Sequence, residues 1–379
     1  MKNRITFIGA ICSIALGMLL VAPVTAQAWG NEGKYVHFFD SDVRLPLTGQ
    51  AAEFTREKYD EQIEQFNKKY QKDYDALYTN HDKEQAELND LMAALDERHS
   101  NGEITEEEYA IEYDKLQADL ETLENEFTKK IEAFETKSEE ELEKLEKQQQ
   151  EEEAFIETYE LPTKEFLVTV DTISTELLSL NPSLSGLEYV PNLKYFTGEI
   201  SREWTVSDTR SLLNTPKLEI LHLPISNQTN LNSMKNLIQL KELHLEAGGY
   251  ANKEEEHIQE TMNDERYTEA LLTDISALSN ATNLKKLSVS AEGAMPVVTL
   301  RKGTTSYELV DPIVLSSQFD GATLSYYSYL DETNYSYASN DLLKWEGLTG
   351  EEDMLLFDWD VSQGQFGFRG IGQIPIRWK

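Results

Sequence analysis

The chain has 379 residues, of which 69 are acidic and 34 basic, giving a formal net charge of −35 and a pI near 4.5. That balance argues against nucleic acid and anionic lipid as partners, because both would be repelled. A single cysteine, Cys12, leaves no disulfide framework and no cysteine metal site.

The N-terminus combines a basic start (Lys2, Arg4), an apolar run from about Ile5 to Val21 and the small-residue end Ala26-Gln27-Ala28. This is the pattern of a secretory signal over residues 1–28. Cleavage after Ala28 would remove Cys12 and leave an exported, cysteine-free chain. The sequence Leu45-Pro46-Leu47-Thr48-Gly49 spells a sortase signal. Its place near the N-terminus, with no apolar stretch and basic tail after it, points to a secreted protein without a C-terminal wall anchor.

Residues 51–157 form an acidic block, with 34 acidic and 13 basic side chains, a balance of −21. Apolar residues recur there at steps of three and four: Tyr59, Ile63, Phe66, Tyr70, Tyr74, Leu77, His81, Leu88, Leu91, Leu95, and then Tyr109, Tyr113, Leu116, Leu120, Leu123, Phe127, Ile131, Phe134, Leu142, Leu145. Such spacing predicts two helices with heptad seams. Between them Ser100-Asn101-Gly102-Glu103 reads as a turn, and Thr105 with Glu108 as the capping box that starts the second helix. Pairs such as Leu95 with Tyr109, Leu77 with Phe127 and Tyr70 with Phe134 have numbers that add to about 204, as an antiparallel pair folded about that turn requires. The expectation is an antiparallel coiled-coil hairpin inserted into another domain, acting either as a solvated spacer or as an arm for self-association.

Further on, L-x-x-L-x-L occurs at Leu218/Leu221/Leu223, at Leu240/Leu243/Leu245 and, as Leu284/Leu287/Val289, once more. The starts lie 22 and then 44 residues apart. A fixed period of this length describes a solenoid in which each unit buries its apolar edge on the next. The stretch Thr273-Asp274-Ile275-Ser276-Ala277-Leu278 through Leu287 resembles a repeat of the internalin family, the 22-residue leucine-rich repeat proteins of Listeria and relatives. Val168-Thr169-Val170-Asp171 leading into Leu184 to Leu193 resembles that family's junction between helical cap and first repeat, and Val36 to Asp40 its start. At the position of the family's asparagine stand Ser226, Gly248 and Glu292, so the usual side-chain ladder to backbone groups is expected to be missing. After the last repeat, short apolar runs (297–300, 307–310, 313–315, 323–329, 342–345, 355–359, 365–369, 374–378) suggest a β-sandwich, placed where the resemblance implies an immunoglobulin-like module.

The fold class expected is therefore α+β multidomain: signal 1–28, helical N-terminal cap 29–50 and 158–183, hairpin 51–157, leucine-rich repeats 184–292 with a charged insertion at 250–270, and an Ig-like cap 293–379. Residues between the ladder leucines point away from the solenoid core, and neighbouring strands lie about 4.8 Å apart. The concave binding candidates are Tyr195, Glu219, Ile220, His222, Pro224, Glu242, His244, Glu246, Lys286, Ser288 and Ser290. His222 and His244 occupy the same position in successive repeats; two imidazoles without further ligands make an ordinary exposed pair rather than a metal site. Asp358-Trp359-Asp360 lacks the additional ligands of a calcium loop. No catalytic motif stands out, and no cofactor is expected. The resemblance implies a noncatalytic module whose concave face binds a protein, from host or bacterial surface.

Overall fold

A computed structural model describes residues 33–176, 182–199, 205–248, 269–330, 335–338 and 342–379. The signal segment and most of the 250–270 insertion lie outside them.

Helix α1 (Ser41–Ser100) starts at Asp40, whose carboxylate accepts from the amides of Asp42 (2.8 Å) and Val43 (3.3 Å). That acceptor satisfies two of the orphan donors of a first turn. The helix runs unbroken across residue 51 and carries Pro46, which has no amide proton to give the Asp42 carbonyl. The Thr175 hydroxyl donates to that carbonyl at 2.8 Å instead. A proline's missing hydrogen bond thus becomes a tie between the helix and the first strand.

The chain turns at Gly102 (φ 74°), and α2 (Glu106–Tyr159) begins with the full capping box: Glu108 N–H donates to Thr105 Oγ1 and Thr105 N–H to the Glu108 carboxylate. The two helices run antiparallel. Tyr70 stacks on Phe134 with ring centroids 5.1 Å apart, His81 on Phe127 at 3.9 Å, and Tyr109 O–H donates to Asp96 at 2.7 Å. At the base, Arg44 joins the start of α1 to the end of α2, through Glu160 at 2.7 Å and the Phe38 carbonyl at 3.0 Å. Phe38, Val43, Leu47, Ala51, Ile156 and Leu167 are all buried there, with the short helix α3 (Lys164–Leu167) among them.

Five parallel strands follow: β1 (Thr172–Glu176), β2 (Tyr195–Glu199), β3 (Ile220–Ile225), β4 (Glu242–Ala247) and β5 (Lys286–Ala294). Leu221, Leu243 and Leu287 are direct partners, as are Leu223, Leu245 and Val289. All six are at most 2% exposed, so the ladder leucines stack into one core. Four 3-10 turns begin at Leu187, Arg210, Asn232 and Ser276 and bury Leu187, Leu212, Met234 and Leu278 behind the strands. The 44-residue step costs the sheet no strand: β4 and β5 are immediate neighbours. The extra residues leave after Gly248 and return at Ala270, which bridges Ala294.

Asparagines at other positions of the repeats reach the backbone. Asn192, Asn236, Asn280 and Asn283 donate to the carbonyls of Val168 (2.5 Å), Leu213 (3.4 Å), Lys235 (3.2 Å) and Ile238 (3.2 Å). Each reaches the preceding turn and satisfies a carbonyl that the strands leave unpaired.

The C-terminal strands are β6 (Val298–Leu300), β7 (Ser306–Val310), β8 (Ser325–Tyr329), β9 (Tyr335–Ala338), β10 (Leu342–Glu346), β11 (Met354–Gln363) and β12 (Phe366–Trp378). β12 pairs parallel with β5, and β11, β8 and β9 follow antiparallel, so repeats and C-terminal strands share one sheet. β7 and β10 form a second, small sheet, tied to the first by Trp345 N–H donating to the Leu356 carbonyl at 2.8 Å. Two expected strands at the C-terminus are one: β12 spans both. Residues 313–315 form no strand; Val314 instead exchanges backbone hydrogen bonds with Thr273 and Ile275 ahead of the last repeat. β9 had no apolar signal in the sequence.

Candidate functional site: the strand rows and their continuation

The register sets the candidate residues in rows. Tyr195, Ile220, Glu242 and Lys286 form one row; His222, His244 and Ser288 a second, beginning at Thr197; Pro224, Glu246 and Ser290 a third. Glu219 lies just before β3. The structure therefore brings together every candidate. It does not display them equally: Pro224 is buried, beside Val206, whose amide donates to the Pro224 carbonyl at 3.0 Å. Lys286 is exposed and the others are half-buried.

Most of the charges in the first rows are already paired. Lys241 Nζ holds Glu219 at 2.7 Å, and Lys286 Nζ holds Glu242 at 2.7 Å, with His222 Nε2 3.1 Å from the same carboxylate. Hydrogen bonds from these lysines keep both glutamates below the usual carboxylate range. The two imidazoles stand 5.7 Å apart at 72°. Burial pushes the His244 pKa down, so it stays neutral to lower pH than a free histidine. Among the described residues no three histidine or carboxylate side chains group as a metal site. The first rows thus form a polar, internally neutralised surface carrying Tyr195 and Ile220, chemistry suited to docking a macromolecule.

The sequence reading stopped this face at Ser290, and the sheet does not. Ser290 pairs with Arg369, which pairs with Asp360; Glu292 pairs with Ile371, which pairs with Asp358, which pairs with Tyr327. These residues enclose a cavity of about 390 Å³ with Glu246 on its near side. Asp358 Oδ1 is covered and receives no hydrogen bond, and burial raises the Asp358 pKa to about 6. The alternation of Leu355, Phe357 and Trp359 with Asp358 and Asp360 could have flagged Asp358 as the outward neighbour of core residues. That its strand lies two places from β5 could not be read from sequence.

No family model and no curated protein matches the chain. Among solved structures it is similar to the functional domain of InlJ from Listeria monocytogenes, at 15% identity over 56% of this chain and 44% of that one, with a TM-score of 0.33. It is also similar to the internalin InlF from L. monocytogenes, at 21% identity over 34% of this chain and 37% of that one, TM-score 0.23. A third is the secreted internalin-like protein Lmo2445 from L. monocytogenes, at 14% identity over 57% of this chain and 88% of that one, TM-score 0.23. The chain spans less than half the length of the first two. Among the described residues no helix is long and apolar enough to cross a membrane.

Proposed function

We propose that this is an exported, noncatalytic, internalin-like protein that binds another protein, of host or bacterial surface, with the concave face of its leucine-rich repeat sheet. The observation that carries this reading is the row register: Tyr195, Ile220, His222, Glu242, His244 and Lys286 stand side by side on adjacent strands of a rigid sheet. A preorganised surface of mixed aromatic, aliphatic and polar side chains loses little entropy on binding. The division into a signal at 1–28, a cap at 29–50 and 158–183, a coiled-coil hairpin at 51–157, repeats at 184–292 with a charged insertion at 250–270 and an Ig-like module at 293–379 belongs to the same proposal, as does export from a Gram-positive cell as a secreted, virulence-associated protein. The test is paired capture from host-cell and bacterial surface extracts by the wild type and by Ile220→Glu/His244→Glu. A protein held by the wild type and lost from the variant supports the reading. Equal capture by both, or none by either, overturns it.

A second reading has its own observation. Phe66, Tyr70, Tyr74, Phe127 and Phe134 are only half-buried between α1 and α2, and Leu91 and Ile111 are 55% and 66% exposed. In this reading the hairpin is an assembly or spacing device at the cell envelope. Size-exclusion chromatography with light scattering on residues 29–379, beside the same chain lacking 53–157, separates the two. Association of the full chain alone supports assembly, and two monomers exclude it.

A further inference from the structure

The strand rows do not begin at β2. The register sets Thr172 beside Tyr195 and Ser174 beside Thr197, so the first two rows run on to β1, which ends the sheet. Tyr195 N–H donates to the Asp171 carbonyl. Successive residues of a strand turn their backbone groups to opposite edges, so Ile173 and Thr175 bond towards β2 while the N–H and C=O of Thr172 and Ser174 point off the sheet. Among the described residues these four groups meet no hydrogen-bond partner, and both residues are exposed. β1 also lacks the lysine or proline that commonly guards an edge; its one charged residue is Glu176, at its end.

A cavity of about 410 Å³ lies along this edge, within the range of sites that take organic ligands. Buried Phe166 and Val170 line it together with the exposed Thr169, Thr172 and Ser174 and, from α1, Gln50. The Thr175 bond to the Asp42 carbonyl fixes α1 against the strand, about two turns before Gln50. That wall is therefore in place before any ligand arrives.

We propose that the β1 edge binds an extended segment of a protein partner, which adds a strand to the sheet through the backbone of Thr172 and Ser174 and sets an apolar side chain against Phe166 and Val170. It rests on the reading of the strand rows as a protein-binding surface: rows and edge are continuous, so one partner spans both. The occupant follows from what the edge lacks. Donor and acceptor groups repeated every second residue along a line are matched by another extended backbone, and the apolar floor selects among side chains. The net charge of −35 repels a second copy of this chain and favours a neutral or basic segment.

The test titrates the full chain with the blocked, fluorescein-labelled peptide Gly-Thr-Val-Thr-Val-Thr-Gly by fluorescence anisotropy, and follows hydrogen exchange of the Thr172 and Ser174 amides by mass spectrometry with electron-transfer fragmentation. The peptide is expected to bind in the high micromolar to millimolar range and, at saturation, to slow exchange of both amides at least tenfold. Gly-Thr-Pro-Thr-Pro-Thr-Gly, which lacks the alternate donors, should not bind. Ser174→Pro and Thr172→Pro each delete an outward donor and leave the bonds to β2 in place. Each should weaken binding at least tenfold without loss of thermal stability. No binding of the valine peptide, equal binding of the proline peptide, undiminished binding by either variant when folded, or amides already protected in the protein alone overturns the proposal. The outcomes separate it from the wider reading. If Ile220→Glu/His244→Glu loses a captured protein but the valine peptide does not bind, the face binds without the edge. If the peptide binds as expected but no protein is captured through the face, the edge site stands and the wider reading falls.

Discussion

Replacing Asp358 by asparagine should stabilise the protein, and only above about pH 5. The Asp358 pKa is about 6 in the folded chain, against 3.8 for an ordinary aspartate, because burial disfavours its charge. The folded state therefore holds this proton more tightly than the unfolded one. The favourable contribution is complete below about pH 4, is lost as pH rises through 6, and is constant above that. A shift of about two units corresponds to about 3 kcal/mol at 1.36 kcal/mol per unit. Asp358 is only partly buried and water screens it, which reduces the figure to about 1–2 kcal/mol. Asparagine removes the charge but keeps the shape. Urea unfolding followed by tryptophan fluorescence, on both proteins at pH 4 and pH 7.5, isolates the effect, because the other carboxylates titrate alike in the two and cancel in the difference. The variant should match the wild type at pH 4 and exceed it by about 1–2 kcal/mol at pH 7.5. A difference independent of pH, or a wild type that gains on the variant between pH 4 and 6, would refute the argument.

Other outcomes follow from particular contacts. Thr175→Val should cost about 1 kcal/mol, since it strips the Asp42 carbonyl of its donor; in a Pro46→Ala background the cost should shrink, because the restored amide serves that carbonyl, and a double-mutant cycle measures the coupling. Leu243→Ala, fully buried between Leu221 and Leu287, should lose about 3 kcal/mol in denaturant unfolding. At Gly370 an added Cβ would stand 2.3 Å from both the Ala291 carbonyl and the Trp359 ring. Gly370→Ala should therefore push β12 off β5 and cost about 2–3 kcal/mol, with loss of amide protection in β12 on hydrogen exchange as the check.

Local patterns were legible wherever neighbours in sequence settle the outcome. The capping box at Thr105 and Glu108 and the glycine turn at 102 depend on four or five consecutive residues. The leucine steps at 218–223 and 240–245 force strands because each unit can bury them only on a copy of itself. The same regularity placed His222 beside His244. Neighbours did not settle Pro224, which reads as an outward residue and is buried, its carbonyl bonded by the Val206 amide from 18 residues back. Nor did they settle which asparagines serve the backbone: Asn192, Asn236, Asn280 and Asn283 each reach a carbonyl 23 to 45 residues back in the chain.

The sequence by itself determined the helices, the turn between them, the repeat and the acidic balance, because helical period, turn chemistry and repeat length act within a few turns of chain. Only the tertiary structure decided that the 44-residue step leaves β4 and β5 adjacent, that β12 runs as a single strand along β5, and that Asp358 and Glu292 face each other across Ile371. Those facts depend on pairing between strands remote in the chain, where the alternation that marks a strand says nothing about its neighbour. The charged cavity exists because of that pairing, which is why it is absent from any stretch of the sequence and present in the fold.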